Sequence, residues 1–245
     1  MPYIPFKSFD ENLSGRDFVV GDIHGMFSLL ESQLDYISFN HAIDRVFSVG
    51  DLIDRGPESH RVLEFLNQPW FHSIKGNHEM MLIEAKHKKT HYRSWIKNNG
   101  GEWWEDIDAK SQKLIREKLS TLPVAIEVVC GSRRVGIVHA DIPLGFTWQE
   151  IIKSLDNDEE IHDYLMWSRN RFKHIQISGK TSEVYGIDMV VMGHTPMSKP
   201  LQIENIYYID TGAAYVKNED LGHLTLLEIQ PEIKIHQYPI PLDGE

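Results

Sequence analysis

Short apolar runs that end in glycine and a polar residue recur through the first third of the chain. Phe18-Val19-Val20 stops at Gly21-Asp22, and Phe27, Leu30, Leu34 and Ile37 then fall at helical spacing, which predicts strand, loop and helix. Arg45–Val49 runs into Gly50-Asp51. The spacing predicts a second helix opening at Pro57, a favoured first-turn residue, and carrying Val62, Leu63, Phe65 and Leu66. Phe71–Ile74 leads to Gly76-Asn77-His78-Glu79, with a third helix over Met80–Ala85. Such units in series predict a partly parallel sheet whose strand ends carry polar residues.

From about Thr90 to Ser120 the pattern is helical, broken at Asn98–Gly101 and resumed over Ala109–Leu119, and it reads as a cap over the sheet. The later chain is strand-rich: Val124–Cys130, Val135–His139, Met189–Met192, Ile206–Ile209, Leu224–Ile229 and Ile233–Tyr238. Thr147–Thr181 lies between these strands, and its acidic run Asp156–Glu160 reads as a solvated loop. With no solenoid repeat or low-complexity linker, residues 1–245 read as one α/β domain with helical insertions.

Composition narrows the function. At 245 residues and 41% hydrophobic, the chain can bury a substantial core, which excludes a disordered tail protein. Its 25 Lys+Arg against 36 Asp+Glu leave a formal charge of −11, which disfavours a general nucleic-acid or anionic-membrane binder. The single cysteine, Cys130, forbids an internal disulfide, suits a reducing compartment and reads as a buried strand thiol. Met1–Ser8 has no basic head followed by an apolar stretch, and no apolar run approaches the roughly 18 residues of a membrane span. A cytoplasmic protein is expected.

The strand ends carry the chemistry. Gly21-Asp22-Ile23-His24-Gly25 sets a carboxylate and an imidazole in one loop, although a lone Asp there also reads as a helix cap. Gly50-Asp51-Leu52-Ile53-Asp54-Arg55-Gly56 repeats the Gly-Asp and adds a second Asp and an Arg. Gly76-Asn77-His78-Glu79 follows. These blocks are separated by 24 and 19 residues and sit on matching strand ends, which independent caps do not explain. His139 and His194 each follow an apolar run. Singly each reads as a packed core histidine, and together they complete a coordination set. Asp, Asn and His without a thiolate suit manganese, iron or zinc.

Taken block by block, Asp22-x-His24, Asp51-x-x-Asp54-Arg55, Asn77-His78-Glu79, His139 and His194 resemble the metal-dependent phosphoprotein phosphatase family. That family lies within the calcineurin-like metallophosphoesterases, and the likeness is to its bacteriophage lambda and bacterial serine/threonine branch. It extends through Gln68–Phe71, Asn99–Trp103, His139-Ala140-Asp141, Trp167–Arg171 and Ile209–Ala213. The resemblance implies a four-layer α/β/β/α fold of two packed mixed sheets flanked by helices. It also implies two divalent ions, manganese first, with Asp22, His24 and Asp51 on one and Asp51, Asn77, His139 and His194 on the other. Two ions about 3.5–4 Å apart share a water, lower its pKa and hold it as hydroxide in line with phosphorus. By the same resemblance His78 is the general acid with Asp54 orienting it, and Arg55 and Arg169 clamp the phosphate. Arg171 reads either as a further clamp or as a surface residue.

The implied reaction is hydrolysis of a phosphomonoester, with phosphoserine or phosphothreonine in a phosphoprotein or phosphopeptide as substrate. Symmetrical diadenosine tetraphosphate hydrolysis is a rival on the same scaffold, but those enzymes tend to carry Ala at the position of Asp54 and Asp at that of Glu79. A phosphodiesterase is a second rival. A phosphoprotein-binding module without catalysis is a third, disfavoured because every ligand position, His78, Asp54 and Arg55 are present. Other phosphatase chemistries fail: six residues beyond Cys130 stands Gly136 rather than Arg, and Asp106-Ile107-Asp108-Ala109 is followed by Lys110 rather than Thr. No Walker lysine follows Gly21-Asp22. Lys86–Lys89 reads as a solvated helix end, and Trp103-Trp104 as groove lining beside the metals or as an anchor for the cap. Lys75 and His139-Ala140-Asp141 depart from the eukaryotic branch, so that branch's regulatory subunits are not implied.

Overall fold

In a strand, successive side chains leave by opposite faces, and this alternation builds the layers. In β2 (Asp17–Val20), Phe18 and Val20 join one apolar cluster while Val19 joins another. In β3 (Arg45–Ser48), Val46 and Phe47 divide in the same way, as do Leu226 and Leu227 in β10 (Leu224–Gln230). The computed structural model describes residues 4–238, so the first three residues of the stretch read for a leader lie outside them.

One sheet has the order β11 (Lys234–Tyr238), β10, β2, β3, β4 (Phe71–Ser73). As the three strand-loop-helix units predict, β2, β3 and β4 are parallel neighbours. The other sheet has the order β1 (Phe6–Phe9), β5 (Ala125–Cys130), β6 (Arg133–Val138), β7 (Met189–Met192), β9 (Ile206–Tyr208), β8 (Leu201–Ile203). Here β6, β7 and β9 run parallel. The sheets pack face to face through Val19, Phe47, Ile126, Ile137, Val191 and Leu227, each buried. Burying one such side chain is worth about 1.5–3 kcal/mol.

Helices cover both outer faces. α1 (Phe27–Tyr36), α2 (Val62–Leu66), α3 (Asn77–Glu84), α4 (Lys89–Asn98) and α5 (Ala109–Ser120) lie on the first sheet, sharing its cluster through Leu30, Phe65, Leu82, Trp95 and Leu119. α6 (Trp148–Ser154), α7 (Glu159–Trp167) and α8 (Asn170–Ser178) lie on the second through Trp148, Leu165 and Ile175. The architecture is therefore α/β/β/α. The expected cap is continuous with the outer layer, because Trp95 and Trp104 pack into the same core as Phe27.

Some expectations needed correction. No helix opens at Pro57: Asp54 and Arg55 have positive φ, the chain turns there, and a single 3-10 turn at Ser59–Arg61 precedes α2. The acidic run is only partly loop. The Asp158 side chain accepts from the Glu160 and Ile161 backbone N–H groups and caps α7, whose first turn holds Glu159 and Glu160, where negative charge meets the helix dipole. α3 starts at Asn77 rather than Met80, so the third polar block lies in its first turn. Edge strands β1 and β8 were not expected at all. Cys130 is a buried strand thiol, with burial pushing it up to about 12.

Candidate metal centre

All the sequence-chosen ligands lie just beyond the carboxyl ends of parallel strands: Asp22 and His24 after β2, Asp51 after β3, Asn77 after β4, His139 after β6 and His194 after β7. Both sheets thus feed one edge, the usual ligand side of parallel strands. The loops are bent hard to get there. Among the described residues seven non-glycines have positive φ, and five of them are His24, Asp51, Asp54, Arg55 and His194. Such backbone costs about 1–3 kcal/mol per residue and persists where surrounding structure enforces it. The first two loops lie backbone on backbone: His24 N–H donates to Asp51 O at 2.8 Å, and a Cβ on Gly56 would sit 2.1 Å from His24 O.

Glu79 fastens the second loop to the third. Its buried carboxylate accepts the backbone N–H groups of Asp51 (2.9 Å), Leu52 (2.8 Å) and Gly76 (2.8 Å). Burial, with Asp51 close by, pushes it up to about 7. In the sequence Glu79 served only to separate rival substrates; its structural task is to hold Asp51 in place.

Two buried triads form, His24–Asp51–His78 and Asp51–His139–His194, each with ligand atoms within 4.8 Å of one another. Asp51 belongs to both. Its Oδ2 is 3.6 Å from His24 Nε2 and its Oδ1 is 3.4 Å from His139 Nε2. Asn77 Oδ1 joins the second triad, 2.9 Å from His139 Nε2 and 3.0 Å from His194 Nδ1. Asp22 stands slightly apart, its two oxygens each accepting the His194 backbone N–H at 3.1 Å.

Each imidazole is pinned by its outward nitrogen. His24 Nδ1 donates to Ile53 O at 2.9 Å, His139 Nδ1 to Val49 O at 2.8 Å, and His194 Nε2 to Trp167 O at 3.3 Å. A carbonyl only accepts, so the nitrogen facing the cluster is the one available to a metal. These donors fit a dinuclear metal site.

Charge within the cluster is unevenly shared. Burial, then Asp210 and Asp51, push Asp22 well above the ordinary aspartate value. Burial also acts on Asp51, but His139 and His78 overcome it and hold that carboxyl well below its usual range. Against its own burial, His139 is pushed up to about 9 by Asp51, whereas burial and His139 take His194 down to about 3. Burial and His78 lower His24 well below the ordinary histidine value. Asp51 is thus the carboxyl that draws positive charge onto His139.

His78 Nδ1 is 2.7 Å from Asp54 Oδ2, and its Nε2 faces Asp51 Oδ2 at 3.9 Å. Asp54 also accepts the indole N–H groups of Trp95 at 2.6 Å and Trp103 at 2.7 Å. Trp103 thus touches the site, whereas Trp104 is buried in the helical layer; Trp95 was not singled out from the sequence. Exposed Arg55 reaches His24 Nε2 and lies over the Tyr215 ring, 5.5 Å from its centroid. Arg169, also exposed, donates to His194 O at 2.8 Å, so both guanidiniums rim the cluster. Arg171 is neither clamp nor surface residue. It is fully buried, bonded to Ile142 O, Thr181 Oγ1 and Ser182 O, and 3.5 Å from Asp141 Oδ1.

Among the described residues no helix is long and apolar enough to cross a membrane. The chain is 37% identical over 216 residues to serine/threonine-protein phosphatase 2 of Escherichia coli, covering 87% of this chain and 94% of that one. It is 45% identical over 147 residues to a symmetrical bis(5'-nucleosyl)-tetraphosphatase of Pseudomonas putida, covering 59% of this chain and 48% of the relative. A crystal structure described as that of a proposed diadenosine tetraphosphatase superposes with a TM-score of 0.69 at 24% identity, covering 97% of this chain and 98% of that one, a likeness of fold. The family model for calcineurin-like phosphoesterases matches residues 18–205, a span that holds every strand-end loop of the metal centre, and the chain belongs to that family.

Proposed function

We propose that the protein is a serine/threonine protein phosphatase acting on phosphoproteins with two divalent ions, manganese foremost and iron or zinc as substitutes. The observation that carries this reading is the His78–Asp54 pair set against a buried Asp/His cluster whose rim holds two guanidiniums. When bound, the ions supply a water of lowered pKa and a Lewis-acidic seat for the phosphoryl group. Asp22, His24 and Asp51 would hold one ion, and Asp51, Asn77, His139 and His194 the other. Arg55 and Arg169 bind and orient the phosphate, each presenting a planar fork of donors to its oxygens. His78 gives its Nε2 proton to the departing serine or threonine oxygen, and the ring keeps its Nδ1 proton on Asp54. A positioned acid of this kind contributes about 10²–10⁴ in rate.

The serine/threonine phosphatase relative supports this reading by matching along nearly its full length. Hydrolysis of symmetrical dinucleoside tetraphosphates is the second reading, favoured by the 45% identity of the shorter match. Turnover of a phosphoserine peptide, p-nitrophenyl phosphate, diadenosine tetraphosphate and a bis-aryl phosphodiester by metal-stripped protein, before and after Mn²⁺, separates them. Mn²⁺-dependent phosphate release from the peptide is expected. Preference for the dinucleotide would replace the first reading with the second, and silence on all four with metal bound would favour a binding module.

A further inference from the structure

Asp54 is fully buried, yet the only partner forming an ion pair with it among the described residues is the His78 ring. The other hydrogen bonds to its carboxylate among the described residues come from neutral indoles: Trp95 Nε1 shares Oδ2 with His78, and Trp103 Nε1 takes Oδ1. Trp95 projects from the buried face of α4, and Trp103 from the 3-10 turn Glu102–Asp106 that follows it. Neither residue belongs to either triad. We propose that Trp95 and Trp103 are positioning residues for proton donation by His78, acting through Asp54.

Two properties of indole and the sharing of one oxygen make this arrangement specific. Its N–H donates and never accepts, so a carboxylate facing two indoles is held as an acceptor on both oxygens. With Trp95 and His78 both on Oδ2, the lone pairs of that oxygen are used, and the ring must present Nδ1–H to it. That fixes the imidazole tautomer and aims Nε2 at the cluster. Finally, an indole is neutral. An arginine in its place would satisfy the same oxygens but cancel the negative charge that steadies His78 when its ring is cationic. The helical segment between α3 and β5 therefore acts on the proton donor through Asp54.

This inference rests on the reading of His78 as proton donor, and the experiment separates the two. The Mn²⁺-loaded full chain is assayed with p-nitrophenyl phosphate, a good leaving group, and with phenyl phosphate and a phosphoserine peptide, which need protonation. Trp103→Phe keeps a ring and removes the N–H, and it is expected to lower kcat on the poor leaving groups about 10-fold more than on p-nitrophenyl phosphate, with KM little changed. Trp95→Phe should do the same. Trp104→Phe, in the same turn, is the packing control and should lower turnover of all substrates by one common factor. In metal-free protein the low-field proton resonance of His78 Nδ1–H should move or vanish in Trp103→Phe and persist in Trp104→Phe. If His78→Asn itself affects all substrates equally, the proton-donor reading falls and this inference with it. If His78→Asn is selective while Trp103→Phe is not, or if Trp103→Phe leaves the resonance in place, only the positioning role is overturned. Trp103 is half-buried, so its variant is expected to fold even if Trp95→Phe does not.

Discussion

Asp54, in the loop after β3, and Asp141, in the loop after β6, are both hidden from water and both hydrogen-bonded several times over. Asp141 accepts from the Ile142 backbone N–H (2.7 Å), the Arg171 backbone N–H (2.8 Å) and Ser168 Oγ (3.1 Å). Burial raises its carboxyl above the ordinary aspartate value while Arg171 pulls it back. Arg171 spends its remaining N–H groups on carbonyls and a hydroxyl, so that circuit is closed. Around Asp54 the circuit is open, because the His78 ring keeps one nitrogen toward the cluster. Burial and charge do not distinguish a structural carboxylate from one proposed to serve chemistry. What its partner has left over does.

The largest expected effect is on the open circuit. Asp54→Asn should lower turnover of a phosphoserine peptide by about 10²–10⁴, with p-nitrophenyl phosphate less affected and the thermal midpoint changed little. A large fall in midpoint with turnover per folded molecule intact would erase the contrast. The closed circuit should respond the other way: Arg171→Met takes the cation from beside a buried carboxylate and removes the donors to Ile142 O and Ser182 O, and should cost about 3–5 kcal/mol in denaturant unfolding, with kcat per folded molecule retained. Adding Asp141→Leu to that variant should not restore the stability, because the carboxylate also holds the Ile142 and Arg171 backbone N–H groups, which would be left without an acceptor.

A smaller effect comes from His72, a half-buried ring packed against Phe9 and Phe47. Burial, with Lys7 and Arg45 nearby, takes it down to about 4. Its folded value lies below the unfolded one, near 6.5, so the unfolded chain binds the extra proton between these limits. Stability should therefore fall as pH drops from about 6.5 to about 4, by up to about 3 kcal/mol from this ring. His72→Phe should flatten that part of the profile in urea unfolding, and an unchanged slope would remove His72 as its source.

The strand-loop-helix units at β2, β3 and β4 were legible because their Gly-Asp and Gly-Asn steps recur, each after a short run with apolar residues in it. β1 was not, since Phe6–Phe9 has two exposed residues between two half-buried ones, and β8 is three residues long. The helices over 148–178 left weaker marks: the Thr147–Glu150 capping box, the Asp158 cap and left-handed Gly179 at the end of α8. At the candidate site, residue types in motifs named each residue of the two triads, although His78 reads as an acid rather than a ligand and Asp22, which reads as a ligand, lies in neither triad. They put Arg169 at the rim but could not place Arg171, because which guanidinium turns inward depends on where α8 begins. Nor could they show Trp95, whose place on the apolar face of a helix reads as core and whose N–H meets Asp54 only in three dimensions.

The parallel pairing of β2 with β3 sets Val20 beside Ser48, and that of β6 with β7 sets Val135 beside Met189. A slip of one residue between such strands moves a following loop by about 3.3 Å and turns each side chain to the wrong face. The cluster thus works as a vernier across two sheets: its ligand atoms converge only when every strand stands at its proper mark. A divalent ion that binds only the correctly aligned chain adds about 2.7 kcal/mol to it at 100 times its dissociation constant and nothing to the misaligned forms. Protein folded without divalent metal should therefore hold a larger share of misregistered chains than protein folded with it, and equal shares would show that the register is set without the ion.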